Sequence, residues 1–157
     1  MEILLTKAPG GALIPLDDEQ AEKIRKFKPG GVIRANIAQA RNAAFHRRWF
    51  KLVNWAYDIW SETAEMPTHR GQPIQPNFEK FRKDVTILTG YRHMVVGVNL
   101  EIRWEADSIS FASMDNETFE SLYSKTIDVI IGKVLSDPKL TADEVREHID
   151  YLMTFDG

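Results

Sequence analysis

The sequence predicts an α+β fold, in which a small antiparallel sheet packs against about four to five helices around a central aromatic-rich helix. Two observations lead to this fold class. Apolar residues recur at helical spacing over several long segments, whereas only short segments alternate with the period of a strand. The predicted strands and helices are grouped along the chain and do not alternate strictly, which favours α+β over a doubly wound sheet. With 157 residues and 43% apolar content, we expect residues 1–157 to form a single domain.

The N-terminal segment predicts a hairpin, a short helix and a strand. Residues 3–7 and 12–16 are apolar runs on either side of a Pro-Gly-Gly turn, which is typical of a β-hairpin. Asp17 is expected to cap a helix, with Gln20 completing a capping box, and a Pro-Gly pair ends that helix. The β-branched run 31–38 then predicts a strand.

The central helix is predicted from Ala43 to Glu62. It follows Asn42, whose side chain is expected to accept hydrogen bonds from the first free backbone amides. A broad apolar surface indicates that other elements contact this helix on more than one side. One narrow polar stripe remains, with Arg48 and Trp55 at its border. The residues of the stripe are Arg47, Lys51, Asn54 and Asp58.

A loop, a second helix and a hairpin are predicted next. Three prolines and a glycine predict a loop over 66–76, which is the best candidate for a mobile segment. Apolar spacing predicts a helix over 78–91, and alternation predicts a strand over 96–104. Residues 108–112 are expected to return against that strand through a turn near Asp107. The inner face of the second helix is predicted to hold Phe78, Phe81, Val85 and Leu88.

Two capped helices are predicted in the C-terminal third of the chain. Asp115 is expected to cap the first of them, which stops before Asp137 and the proline that follows it. Thr141 and Glu144 are spaced as a capping box for the last helix, which is predicted to run through Phe155.

The distribution of charge is the feature that bears most on function. From Lys23 to Tyr57 there are nine Lys and Arg residues and no Asp or Glu. The whole chain has 20 basic and 23 acidic residues, so 11 basic residues and all 23 acidic ones lie outside this stretch. A net charge of −3 therefore conceals a bipolar molecule, which predicts a polyanionic partner.

We expect the anion-binding patch at the N-terminal end of the central helix. Guanidinium groups and helix N-terminal amides both bind phosphate. Basic residues at this end of a helix interact unfavourably with the helix dipole, and a bound anion would offset that energetic cost. Trp55 is the aromatic expected to be accessible for base stacking, whereas most aromatics at helical spacing belong to the core. The predicted nucleic-acid-binding residues are Arg34, Arg41, Asn42, His46, Arg47, Arg48, Lys51 and Trp55.

Other interpretations of this patch stay open. Runs of charge are often solvated faces, and Arg48 would then pair with an acidic residue of the C-terminal half. The ligand could also be an anion other than nucleic acid. His46 could donate to phosphate or act as an acid or base, although a histidine packed against its helix is the more common case.

The sequence predicts no catalytic residue, no metal and no cofactor. A chain without cysteine has no disulfide, thiolate metal site or cysteine nucleophile. The four histidines lack zinc-binding spacing, and the GxSxG, Walker and GxGxxG motifs are absent. Clustered acids near the predicted hairpin leave a metal-dependent nuclease as a third alternative. These acids are Glu101, Glu105, Asp107 and Asp115.

Two strings of the sequence resemble an uncharacterised family of phage and prophage proteins, which is defined only as a domain of unknown function. They are RNAAFHRR at 41–48 and SISFASMD at 108–115. Its members look like products of phage early regions, where replication and recombination functions cluster. The order of elements is also similar to that of the lambda-type NinB (Orf) recombination mediator family. That likeness implies a homodimer that binds single-stranded DNA and is not an enzyme.

Together these observations favour a phage or prophage accessory protein of DNA replication or recombination that binds single-stranded DNA. A replication or recombination protein is a further expected partner. No basic leader and no apolar run of membrane-spanning length occurs, so we expect a cytoplasmic protein of a bacterial host without a membrane partner. The alternative is a protein-interaction module whose acidic C-terminal half engages a host or phage replication factor.

Overall fold

The computed structural model describes residues 2–37 and 42–156, and it confirms the α+β fold class. The chain divides into two compact units, Met1–Ala38 and Gln39–Gly157. Within the described residues, the first unit holds one hairpin and one helix, and the second holds two hairpins and four α-helices. The single domain over 1–157 stays a prediction.

The first unit begins with the predicted hairpin, β1 (Leu5–Lys7) and β2 (Leu13–Pro15), which pair in antiparallel register. Helix α1 (Asp18–Arg25) follows, and its first free amides are capped because the Asp17 carboxylate accepts from the backbone N–H of Gln20 at 2.9 Å. The buried Gln20 side chain does not complete the capping box. Its Oε1 accepts from the backbone N–H of Leu4 at 3.1 Å and so ties the helix to the hairpin.

The predicted strand at 31–38 is wrong over its described part. Residues 31–37 have no regular secondary structure, and Val32 is fully exposed. A strand is stabilised by pairing and packing, and no other strand of the described residues pairs with this segment. Ala38 lies outside the described residues.

The second unit is built around α2 (Ala43–Thr63), which is central and buried as predicted. It contacts α3 (Phe78–Leu88), α4 (Asn116–Val129) and α5 (Ala142–Met153). Trp49 of α2 is fully buried, and its indole Nε1 donates to Thr126 Oγ1 of α4 at 3.0 Å. This hydrogen bond satisfies the one polar atom that Trp49 carries into the core.

Helix α3 is capped by Asn77, whose side chain accepts from the backbone N–H of Lys80 at 2.9 Å. Phe81 and Val85 face the core as predicted, but Leu88 is exposed because the helix ends there. The predicted loop 66–76 also contains a short hairpin, β3 (Thr68–His69) with β4 (Gln72–Pro73). Its turn is formed by Arg70 and Gly71, which both have positive φ.

The second predicted hairpin exists, but its strands lie elsewhere. Strand β5 (Arg92–Val96) pairs with β6 (Ile102–Ala106), and residues 97–101 form the turn. The predicted strand 96–104 therefore crosses a turn, and its apolar alternation continues through the turn residues. Residues 108–112 form no strand, since 108–110 are irregular and a 3₁₀ turn begins at Phe111.

The last two helices agree closely with their prediction. Asp115 caps α4, which continues into a π-helical turn, Ile130–Leu135, and ends at Ser136 in the left-handed conformation. Thr141 and Glu144 form the complete capping box of α5. A 3₁₀ turn, Thr154–Asp156, follows α5. Among the described residues, no helix combines the length and apolar character that a membrane crossing requires.

Candidate nucleic-acid interface

The polar stripe on α2 faces solvent as predicted. Arg47, Asn54 and Asp58 are exposed, and Lys51 is half-buried. Among the described residues, Arg47 forms no ion pair. The stripe is basic over its first half and becomes acidic at Asp58, so only its N-terminal half can attract a polyanion.

The start of α2 differs from the prediction. Asn42 occupies the N-cap position, but its side chain does not cap the backbone amides of the helix. Its Nδ2 donates instead to the carbonyl oxygens of Phe111 at 3.1 Å and Met114 at 2.5 Å. Asn42 therefore anchors the helix to the segment before α4. The first turn of α2 contains no acidic residue, and Arg41 lies outside the described residues.

One border of the stripe is formed with α5. Arg48 donates from an Nη atom to the Asp150 carboxylate at 2.8 Å, and its guanidinium lies over the Tyr123 ring at 5.9 Å. If the polar stripe is only a solvated face, Arg48 is expected to pair with an acidic residue of the C-terminal half, and Asp150 is such a residue. Both partners are partly exposed, so the pair contributes less than about 1 kcal/mol.

Trp55 lies at the same border, two turns further along α2. Its ring is half-buried, 5.6 Å from the His148 ring, and it lines an open groove of about 510 Å³. The groove runs between α2 and the chain segment that joins the π-helical turn to α5. Trp49, in contrast, is fully enclosed, so these two tryptophans of α2 differ as predicted. The other groove residues are Ile59, Thr63, Leu135, Ser136, Asp137, Pro138 and Leu140.

The opposite border of the stripe is aromatic. The half-buried His46 ring stacks on Phe50 at 4.5 Å and meets the edge of Phe111 at 5.2 Å. Arg82 of α3 contacts this border, with its guanidinium 5.8 Å from the centroid of the Phe50 ring. Arg82 is not among the predicted site residues, because no local pattern in the sequence shows that α3 packs beside this part of α2.

Arg82 is also engaged within its own helix. One Nη atom donates to the Glu79 carboxylate at 2.8 Å, and this hydrogen bond lowers the pKa of Glu79 below its usual value. Its Nε is buried and has no hydrogen-bond partner within the described part of the chain. Because the Nε is buried, it is not accessible to a ligand that approaches from solvent.

The predicted site residues separate into two groups. Asn42, His46, Arg47, Arg48, Lys51 and Trp55 lie on or next to α2. Arg34 lies in the exposed irregular segment of the first unit. The basic residues of α1 form ion pairs along their own helix, with Lys23 Nζ 2.7 Å from Glu19 and Arg25 bonded to Glu22. The α2 group is therefore the compact part of the predicted site.

The acids considered for a nuclease are dispersed. Glu101 pairs with Arg103 at 2.8 Å, and Asp115 caps α4. Asp107 binds His93 Nδ1 at 2.7 Å, with Glu105 3.9 Å from Nε2 of the same ring. In residues 2–37 and 42–156, no group of three or more His, Asp or Glu side chains is arranged to hold a metal ion.

Comparison with known proteins identifies one family. The model described as "Protein of unknown function (DUF1367)" matches residues 1–75 and 65–155. The chain therefore belongs to the DUF1367 family. No curated protein and no solved structure matches the chain.

Proposed function

We propose that this DUF1367 protein binds single-stranded nucleic acid, with DNA preferred, on the N-terminal half of the α2 face. One observation carries the proposal. Arg47 is exposed and has no ion pair among the described residues, Lys51 lies one turn further along α2, and Trp55, one turn beyond Lys51, lines the open groove. Cationic side chains beside an accessible aromatic ring are the combination that single-stranded nucleic acid requires.

The two kinds of side chain would have different tasks. Arg47 and Lys51 would contact phosphates, which gives affinity without sequence preference and makes binding depend on salt. Trp55 would stack on a base, a contact worth about 1–3 kcal/mol. Arg47 and Trp55 are eight residues apart on one helix, which is roughly 12 Å along its axis. A segment of a few nucleotides spans this distance.

The biological setting of the proposal comes from the resemblance. The strings at 41–48 and 108–115 are similar to phage and prophage proteins, and the order of elements is similar to a single-stranded DNA-binding recombination mediator family. We infer a non-enzymatic accessory role in phage DNA replication or recombination, in the cytoplasm of a bacterial host. A replication or recombination protein would be the second partner.

Fluorescence anisotropy with a labelled single-stranded oligonucleotide tests the proposal at about 50 mM salt, where counterion release favours binding. Arg47→Glu should weaken binding at least tenfold, because it replaces a phosphate contact by repulsion. Lys133→Glu is the matched control, since Lys133 is exposed outside α2 and the change in net charge is the same. Equal losses in the two variants would remove α2 from the site.

The aromatic contact requires its own variant. Trp55→Leu should lower affinity by about 1–3 kcal/mol while leaving the salt dependence unchanged, because a stacking contact releases no counterion. Trp55→Phe keeps a ring and should restore part of the affinity. Absence of oligonucleotide binding by the wild-type chain at low salt would refute the proposal as a whole.

A protein-interaction module is the second candidate, and one observation favours it. Asp143, Glu147 and Asp150 are exposed at helical spacing on α5, so they form an acidic stripe on this helix. Such a stripe can bind a basic surface of a replication factor. A partner that is retained from host lysate after nuclease treatment, by a chain that does not bind oligonucleotides, would support this candidate over the first.

A further inference from the structure

The β5–β6 hairpin exposes a continuous apolar face. Met94 lies opposite Trp104 and Val96 lies opposite Ile102, and cross-strand partners project from the same face of a sheet. Val98 and Leu100 extend the apolar surface into the turn. These six residues, called the hairpin face below, are between 45% and 95% exposed.

The other face of the hairpin is polar. His93 lies opposite Glu105, and Val95 lies opposite Arg103. His93 binds Asp107, and Arg103 pairs with Glu101. The hairpin therefore has the alternation of a strand pair that buries one face, yet its apolar face is exposed. The two strands form a sheet of their own, and β6 contacts α3. A two-stranded hairpin gains stability from each further layer that packs on it, and the apolar face is open to one.

The size of the hairpin face matches an interface. At these exposures it presents on the order of 700 Å² of surface, close to the ~800 Å² that each partner buries in a standard interface. An area of this size is enough for one complete side of a stable dimer.

The turn conformation provides independent support. The backbone N–H of Leu100 donates to Gly97 O at 2.9 Å, and that of Gly97 donates to Glu101 O at 2.8 Å, which closes a three-residue loop. The last residue of such a loop is left-handed and is usually Gly or Asn. Here it is Leu100, with φ of 62°, which is strained and 83% exposed. The exposed apolar side chain contributes little within its own chain to offset this strain.

We propose that the hairpin face binds the hairpin face of a second copy of this chain across a two-fold axis. An isologous interface must be self-complementary, and a surface that is apolar apart from Arg92 at its base meets that condition. The charged groups lie around the face. The Arg92 guanidinium covers the Trp104 ring at 4.1 Å at the base of the hairpin, and the carboxylates lie on the polar face. A second copy is also present whenever the chain is made, so it can cover the exposed apolar face.

Sedimentation equilibrium of the full chain, from about 1 to 100 µM, tests the inference because dimerisation depends on concentration. We expect twice the mass of the chain. Ile102→Glu should raise the dissociation constant at least about 100-fold, because each copy would bury an unpaired carboxylate in the apolar interface. Ile74→Glu is the matched control, since Ile74 is an exposed isoleucine outside the hairpin face, and it should leave the constant unchanged.

Leu100→Asn keeps the test decisive if Ile102→Glu fails to fold. Asn tolerates the left-handed conformation, so the variant should keep or increase the stability of the monomer while weakening the dimer about tenfold or more. A wild-type chain that stays monomeric overturns the inference. A dimer that both variants leave unchanged overturns it as well. The inference does not depend on nucleic-acid binding, which the anisotropy experiment tests separately.

Discussion

The Tyr123 hydroxyl is buried in the core and has no hydrogen-bond partner within the described residues. Burial raises the pKa of Tyr123 to about 12. A buried hydroxyl without a partner destabilises the fold, so Tyr123→Phe should increase the free energy of unfolding at neutral pH by about 1 kcal/mol. Urea denaturation measures this difference. Tyr151→Phe is the control, because Tyr151 is exposed and its loss should change little.

The same substitution also predicts a change in alkaline stability. The neutral Tyr123 contributes stability that is fully present below the unfolded pKa of 10.0 and is lost as the pH rises through about 12. In this window the wild-type free energy of unfolding should fall by up to about 1.4 kcal/mol per pH unit because of this group. Tyr123→Phe should reduce that slope. An unchanged slope would show that the Tyr123 hydroxyl is solvated.

Helix capping was predictable from the sequence only where the hydrogen-bond partner of the capping side chain is local. Asp17, Asp115 and Thr141 cap their helices as predicted, because each accepts from an amide three residues away. Asn42 has the same N-cap preference, but its partners Phe111 and Met114 lie 69 and 72 residues further along the chain. The long-range hydrogen bonds replace the cap, and no spacing in the sequence indicates them.

At the level of elements, the contact between α2 and α5 limits the charge available to a ligand. Asp150 neutralises Arg48, so Asp150→Asn should leave a cation beside Arg47 and increase the affinity for single-stranded DNA about threefold. The cost in stability should stay below about 1 kcal/mol, since the pair is partly exposed. Asp128→Asn on α4 is the control with the same change in net charge. Equal affinities for the two variants would show that Arg48 does not contact the ligand.

Helices were predictable because their stabilising pattern lies within each segment, whereas strand pairing does not. The spacing that predicts the buried stripe of α4 is sufficient to find Phe119, Leu122 and Ile127 in the core. The alternation over 96–104 was misleading because it continues through a turn. Gly97 and Asn99 were the local signals of that turn.

At the scale of the whole molecule, the acid-free stretch is divided between two units. Lys23, Arg25, Lys26, Lys28 and Arg34 belong to the first unit, and Arg47, Arg48 and Lys51 belong to the second. The basic residues are contiguous in the sequence, but they belong to two different structural units. Composition therefore predicts a polyanionic partner, but it does not indicate which part of the stretch would bind it. Of the two groups of basic residues, only the α2 group combines exposure with an accessible tryptophan.

A chain that begins at residue 39, the first of the second unit, tests this division. The core of the second unit consists of residues between Phe45 and Met153, with no described residue of the first unit among them. We therefore expect the shortened chain to keep its helical circular dichroism and its cooperative urea transition. If α2 is the site, the slope of log K against log salt should stay within about one unit of the wild type, since the same phosphates are contacted. A slope that falls by several units in a folded shortened chain would place the basic residues of the first unit in the site.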